Sequence, residues 1–363
     1  MTTERIYVLP VEQTDWIVGD GKARFRWEYD DGREAVLALY EKGKAQQWNA
    51  THRIDWKKDF DPENPMEFPD EVLHIYGTSI WNRMTPREKA DLRRHAQAFQ
   101  LSQFLHGEQG ALICAAKLVQ MVPTIDSKFY AATQVMDEAR HLEAYSRLLH
   151  EKLEMAYPIS KGLQALLNNT ITDGRWDFLY LGMQVLIEGL ALAAFQLIRD
   201  QSRNSLASSV TAYVMQDEAR HVAFGRLALR GYYPQLSDAE RAEREEFIVE
   251  SCYYLRDRFA TGEVFMRLGL PLQECMAILA QSEGFRQHQV RLFSRIVPIV
   301  RDIGLLGPRV REAFAKMGIL GFAETDATAV MAEDARIAES FDLRVRSSGH
   351  GEPALATADA AGV

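Results

Sequence analysis

The sequence predicts an all-α fold, a bundle of six or more long helices preceded by a short β-hairpin. Long apolar-periodic runs are bracketed by capping signals and proline stops, and strand-like alternation is confined to about the first thirty residues. No long linker divides the chain after Arg33, so one large domain accounts for most of the 363 residues. That length supports a core without disulfide staples.

Residues 5 to 30 alternate apolar and polar around Gly19-Asp20-Gly21, the pattern of a hairpin. Residues 1–32 are thus an N-terminal segment. Arg33 to Trp48 reads as a short helix, and 49–69, with Pro62, Pro65 and Pro69, as loop. Thr85-Pro86-Arg87-Glu88 joins a capping box to a proline at the first helical position, opening a helix to about Met121 that Pro123 ends. A second helix runs from about Ile125 to Met155, and a third from about Arg175 to Asp200. The third turns at Gln201-Ser202-Arg203-Asn204 into a fourth reaching Tyr232. Ser237-Asp238-Ala239-Glu240 caps a helix to about Leu268, and helices near 272–304 and 308–318 complete a domain over 33–320. Residues 321–363 read as a tail, disordered from about Ser347, where large apolar residues cease.

Composition narrows the function. The chain is 47% hydrophobic and 26% charged, an ordinary globular balance. Fifty-one acidic against 42 basic residues give a charge of -9, which argues against nucleic-acid or anionic-lipid binding. Cys114, Cys252 and Cys275 are scattered and form neither a disulfide framework nor a zinc motif, so a cytoplasmic setting is expected. No signal peptide is visible. Phe178 to Ile198 is apolar enough to suggest a membrane span, but Gln184, Glu188 and Gln196 interrupt it and a core helix explains it better. GxGxxG, Walker and GxSxG motifs are missing.

The chemistry sits in a repeat: DEARH occurs at 137–141 and again at 217–221. Glu138 and His141 share one helix face, as do Glu218 and His221, so each pair can offer an oxygen and an imidazole nitrogen to one metal ion. Glu108 lies 15 residues before Pro123 and Glu138 15 after it, so in an antiparallel hairpin the two stand level. Each is roughly 22 Å from the turn. Glu188 and Glu218 mirror one another in the same way about Arg203. Both single glutamates lie in apolar surroundings, LGMQVLIEGLALAAFQLI and QFLHGEQGALICAAKLV, where an unpaired carboxylate would be heavily penalised and a metal would keep it ionised. Four carboxylates and two histidines from four helices are the ligand pattern of di-iron and di-manganese carboxylate bundles.

This order of motifs resembles the ferritin-like superfamily, and within it the ribonucleotide reductase small-subunit-like branch that includes the bacterial multicomponent monooxygenase hydroxylases. The resemblance covers about residues 40–230. It implies that Asp137 and Asp217 orient the ligand histidines, with Arg140 and Arg220 bracing the aspartates. The segment AQQWNATHRIDW (45–56) is similar to the stretch ahead of the bundle in that branch, which implies that Trp48 bonds to Asp217 and through it to His141. Tyr145 occupies the position of the radical tyrosine, and is either a redox residue or a core tyrosine one turn from a ligand. Leu192 departs from the hydroxylases, which carry a threonine there.

The expected cofactor is two iron ions, with a manganese–iron pair suiting the same ligands, and dioxygen as co-substrate. Glu108, Glu138 and His141 would hold one ion and Glu188, Glu218 and His221 the other, one or two carboxylates bridging. The expected function is an oxygen-activating oxidase or monooxygenase acting on a small, largely apolar organic substrate, with an electron-donor protein and a homodimeric state. Radical generation through Tyr145 and ferroxidase or iron storage are the alternatives. Helical spacing places Phe104, Leu105, Ala111, Leu112 and Ala115 on the face of Glu108, and Gln184, Ala191, Leu192 and Phe195 on that of Glu188. The small residues suggest a substrate pocket there, unless neighbouring side chains fill it.

Overall fold

The computed structural model describes residues 8, 9, 23, 24, 32–257 and 261–347, and among these there are helices and no strand. The hairpin expected over residues 5 to 30 lies outside the described residues except for 8, 9, 23 and 24, which belong to no strand, so it receives no support. The tail from 348 also lies outside them.

In chain order α1 (Glu34–Ala45), α2 (Ala50–Arg53) and α3 (Ser79–Arg83) lead into α4 (Pro86–Met121) and α5 (Ile125–Arg147). After α6 (Lys161–Thr172) come α7 (Trp176–Tyr180), a π-helical segment Leu181–Ile187, α8 (Glu188–Gln201) and α9 (Ser205–Tyr232). The remaining helices are α10 (Asp238–Asp257), α11 (Gly262–Arg267), α12 (Leu272–Gln281), α13 (Glu283–Leu292), α14 (Ile296–Asp302), α15 (Pro308–Lys316) and α16 (Ala327–Ser347). The hairpins α4–α5 and α8–α9 form the central bundle, and α1 lies across α5 and α9.

Local chemistry sets the long helices. Thr85 Oγ1 accepts from the Glu88 amide and Glu88 Oε2 accepts from the Thr85 amide, closing the capping box of α4. The Asn204 side chain accepts from the Leu206 and Ala207 amides and so starts α9. Trp176 to Gln201 is 94% buried in its most apolar window, so a core rod explains its composition. That rod is not one regular helix. Around Leu181–Ile187 it widens to π geometry immediately before Glu188, where α6 presses closely: a Cβ on Gly182 would lie 2.5 Å from Thr170 Oγ1. The helix expected to reach Met155 likewise ends in a π turn, Leu148–Leu153.

The C-terminal part is more broken than the apolar pattern suggests. The helix expected near 272–304 is three, interrupted where Ser282 caps α13 and again before α14. Much of the segment read as tail is α16, held by Arg295 on Asp334 at 2.6 Å and by Arg226 on Thr328 at 2.9 Å.

At the start of the bundle, the Arg33 guanidinium and backbone amide both donate to Asp126, whose side chain is fully buried. Burial would raise this carboxyl, but Arg33 and Thr124 hold it down at about 2, against an ordinary 3.8. The stabilisation is therefore complete above the ordinary value and is lost as pH falls through about 2. Asp126→Asn is expected to destabilise by about 1–2 kcal/mol, the lower part of the charged hydrogen-bond range because Arg33 is half exposed. The melting-temperature gap to wild type should narrow on acidification from pH ~4 to ~2; a constant gap would contradict the assignment.

Candidate metal centre

Four helices bring the six residues to one place: Glu108 on α4, Glu138 and His141 on α5, Glu188 at the start of α8, and Glu218 and His221 on α9. All six are 5% exposed or less. Their donor atoms form two groups, Glu108–Glu138–His141–Glu218 and Glu138–Glu188–Glu218–His221, each with one atom per residue within 4.8 Å of the others. Glu138 and Glu218 belong to both, as bridging carboxylates would. His141 Nδ1 stands 3.3 Å from Glu108 and Glu138 and 3.1 Å from Glu218, while His221 Nδ1 stands 3.1 Å from Glu138. The two rings face across 6.0 Å.

The electrostatics demand positive charge. Burial and the neighbouring Glu218 push the Glu108 carboxyl well up, and burial with Glu218 and Glu138 does the same to Glu188. Glu138, which burial would also raise, is held low by His221 and His141. Burial would lower both imidazoles, yet Asp217 and Glu108 push His141 well up, and Glu138 and Glu218 push His221 well up. Without metal the cluster must share protons. Two divalent ions would supply the same charge and displace those protons.

A test of fit lies in the unsatisfied atoms. Glu138 Oε2, Glu188 Oε2, Glu218 Oε2 and His221 Nδ1 are buried without a hydrogen-bond partner, an arrangement that is expensive unless a cation takes those lone pairs. An oxygen-rich set with two imidazoles suits iron or manganese.

Around this cluster the two DEARH motifs are cross-linked. Asp217 Oδ2 lies 3.0 Å from His141 Nε2, and Asp137 Oδ2 lies 3.2 Å from His221 Nε2, so each motif orients the histidine of the other. Arg140 donates to both aspartates, and Arg220 donates to Asp217 and stands 3.5 Å from Asp137. The Trp48 indole donates to Asp217 at 2.8 Å. Gln47 donates to Asp137 at 2.6 Å and accepts from Arg140, while Gln46 accepts from Arg220. The sequence reading missed both glutamines, although they directly precede Trp48. It also missed Gln134, one turn before Glu138, whose amide lies 3.0 Å from both Glu138 and Glu188.

Tyr145 is fully buried, stacked near Phe104 and Phe195, and its hydroxyl has no hydrogen-bond partner. Burial and the Glu108 and Glu218 charges push it well above an ordinary phenol. The pocket is distributed otherwise than helical spacing suggested. A cavity of about 400 Å³ is lined by Phe104 alone among the nine expected residues. Leu105, Ala111, Ala115 and Phe195 are buried, Leu112 and Ala191 half-buried, and Leu192 borders a void of about 10 Å³ beneath α14 and α16. Gln184 is packed onto α9, where a Cβ on Gly225 would lie 2.5 Å from Gln184 Cβ.

No curated protein matches the chain. The family model described as p-aminobenzoate N-oxygenase AurF matches residues 30–304, which contain all six cluster residues.

Proposed function

Because the chain belongs to the AurF family, and is thereby an oxygen-activating di-iron oxidoreductase, we propose that it oxygenates the nitrogen of a small aromatic amine. The observation that carries this reading is the 400 Å³ cavity, whose walls include Phe68, Phe99, Phe104 and Phe265. Its volume falls within the ordinary range for small-ligand sites, ~300–1,000 Å³. Phe104 is shared: one side faces the cavity, and its ring lies 4.7 Å from Phe195 and 5.7 Å from Tyr145 at the edge of the carboxylate cluster. Phe104 also precedes Glu108 by one helical turn.

Glu108, Glu138, His141, Glu188, Glu218 and His221 would hold the two ions, and the bound irons supply reductive activation of dioxygen. Asp217 and Asp137 keep each imidazole Nδ1 turned toward the ions. The Phe104–Tyr145–Phe195 wall keeps bulk water from the centre while bringing an aryl ring up to it. Tyr145 is better read as part of this wall than as a radical store, because oxidising it would strand a proton on a hydroxyl with no acceptor. An electron-donor protein and a homodimer complete the proposal; exposed Phe129 and Met136 on the outer face of α5 supply apolar surface for a second copy. The cytoplasm is the setting we propose.

The deciding experiment loads the protein with ferrous iron, reduces it, and measures oxygen uptake with a panel of arylamines, anilides and benzoates. Amine-dependent uptake with a hydroxylamine, nitroso or nitro product is expected. Uptake that no arylamine stimulates, with a long-lived tyrosyl radical signal instead, would move the function to radical generation.

A further inference from the structure

Five aromatic residues, none of them bordering the 400 Å³ cavity, form one file from the metal centre to the protein surface. The file begins at Tyr130 on α5. Gln134, one turn on along the same helix face, lies at hydrogen-bond distance from Glu138 and Glu188. Burial pushes the Tyr130 phenol up, and the charges that act on it are those of His221, Arg220, Asp137 and Glu188, so the ring stands beside the donor cluster. Phe224 on α9, one turn after His221, lies 4.2 Å from Tyr130 between ring centroids. Tyr180, the last residue of α7, is 5.0 Å from Phe224, and Trp176 at the start of α7 is 5.6 Å from Tyr180. Tyr232, at the end of α9, closes the file 4.7 Å from Trp176.

Burial follows the same order. Tyr130, Phe224 and Tyr180 are each 1% exposed or less, whereas Trp176 and Tyr232 are only half-buried. The six donors of the metal centre are themselves 5% exposed or less, so no carrier in solution can touch them and electrons must cross protein to reach them. Packing alone does not account for the rings chosen. The Tyr130 hydroxyl is buried without a hydrogen-bond partner, a cost that phenylalanine would avoid. What the hydroxyl adds is an electron-rich ring. A phenol gives up an electron more readily than a phenyl group, and an indole more readily still where no proton can leave, so both lower the barrier to an electron tunnelling through the core.

We propose that Tyr130, Phe224, Tyr180 and Trp176 form an electron-transfer route, and that its outer end, Trp176 beside Tyr232, is the port at which a reduced one-electron carrier serves the buried centre. The assignment rests on the external electron donor proposed above and not on the identity of the organic substrate. Each transfer moves one electron from the carrier to a ferric ion. The carrier is oxidised, the iron is reduced, and no bond forms or breaks along the file. Tyr130 keeps its proton, having no acceptor to take it, and so serves as a tunnelling bridge and not as a resting place for a radical.

The test times the arrival of a single electron. Cys114, Cys252 and Cys275 are buried, so a cysteine introduced at Gly174, which is exposed and has open space for a side chain, can be labelled alone with a photoreductant close to Trp176. In the full-length protein loaded with ferric iron, a light flash injects the electron and loss of the ferric absorption band reports its arrival. Trp176→Leu and Phe224→Leu, compared with wild type at equal iron content, should each slow arrival at least about tenfold, and Trp176→Tyr should recover most of the rate. Phe247→Leu, which removes a ring that packs on Phe178 off the file, should leave the rate unchanged. An unchanged rate in either Trp176→Leu or Phe224→Leu overturns the route. Amine oxygenation is scored apart, driven by a small chemical reductant in place of light. If it occurs while the leucine variants keep the wild-type rate, the route falls and the function stands. If those variants are slow and no amine is oxygenated, the function falls and the route stands.

Discussion

Glu138→Ala and Glu218→Ala are each expected to empty both metal positions, whereas Glu108→Ala and Glu188→Ala are each expected to empty one. The difference follows from sharing: Glu138 and Glu218 contribute to both groups of donor atoms, Glu108 and Glu188 to one apiece. Losing a shared carboxylate removes one ligand from each ion and the negative charge that lets two cations sit side by side. Iron per chain after anaerobic reconstitution should approach two in wild type, one in the Glu108 and Glu188 variants, and zero in the others. Oxygen-dependent activity should fall by at least about 100-fold in all four, because two-electron reduction of dioxygen needs both ions. Helical circular dichroism should persist, since each Ala variant removes a single side chain from long helices whose remaining core packing is unchanged. One iron lost alike from all four variants would show that the shared geometry does not govern binding.

Much of this centre could be read from the chain because its determinants are local and periodic. The spacing of three in each DEARH motif puts Glu and His on one face, and the mirrored spacings about Pro123 and Arg203 bring α4 level with α5 and α8 level with α9. The capping box at Thr85 fixed the start of α4 where it is observed, and the turn expected at Gln201-Ser202-Arg203-Asn204 proves to end in the Asn204 cap of α9. Features with long-range causes were opaque. The π segment before Glu188 lies in LGMQVLI, which is almost wholly apolar, and the close approach of Thr170 on α6 to Gly182 within it is a contact between residues 12 positions apart that no helical pattern announces. Helix α16 is docked by Asp334 on Arg295 across 39 positions, a pairing that no local pattern announces. The 400 Å³ cavity was not visible in the sequence for a related reason: helical spacing finds which residues share a face with Glu108 and Glu188, but not which neighbour fills that face. Residues 68–75 and α13, which build the cavity's far wall, carry no periodic signal linking them to the bundle.

Asp217→Asn is expected to weaken metal binding at the His141 position by about 10–100-fold, the usual effect of losing a partner behind a ligand. Asp217 Oδ2 receives the Trp48 indole, Arg140 and the His141 Nε2 side at 2.8–3.0 Å, and Arg220 reaches its other oxygen. Burial would raise this carboxyl, yet Arg220, His141 and Arg140 hold it well below the ordinary range, so it is a full negative charge that raises the basicity of the imidazole. Asparagine keeps the shape and removes the charge. Arg140 and Arg220 then face Asp137 alone, and His141 loses the partner that fixes Nδ1 toward the metal. Trp48→Phe removes one neutral donor and leaves both arginines in place, so its effect should be below about tenfold. Asp137→Asn, the mirror change, should weaken the His221 position instead, because the two motifs are crossed. Stepwise titration with cobalt(II), whose visible bands report each occupied position, separates the two. Loss at opposite positions in the two Asn variants is the expected result, and loss at the same position in both would show that the arginines fuse the aspartates into one unit.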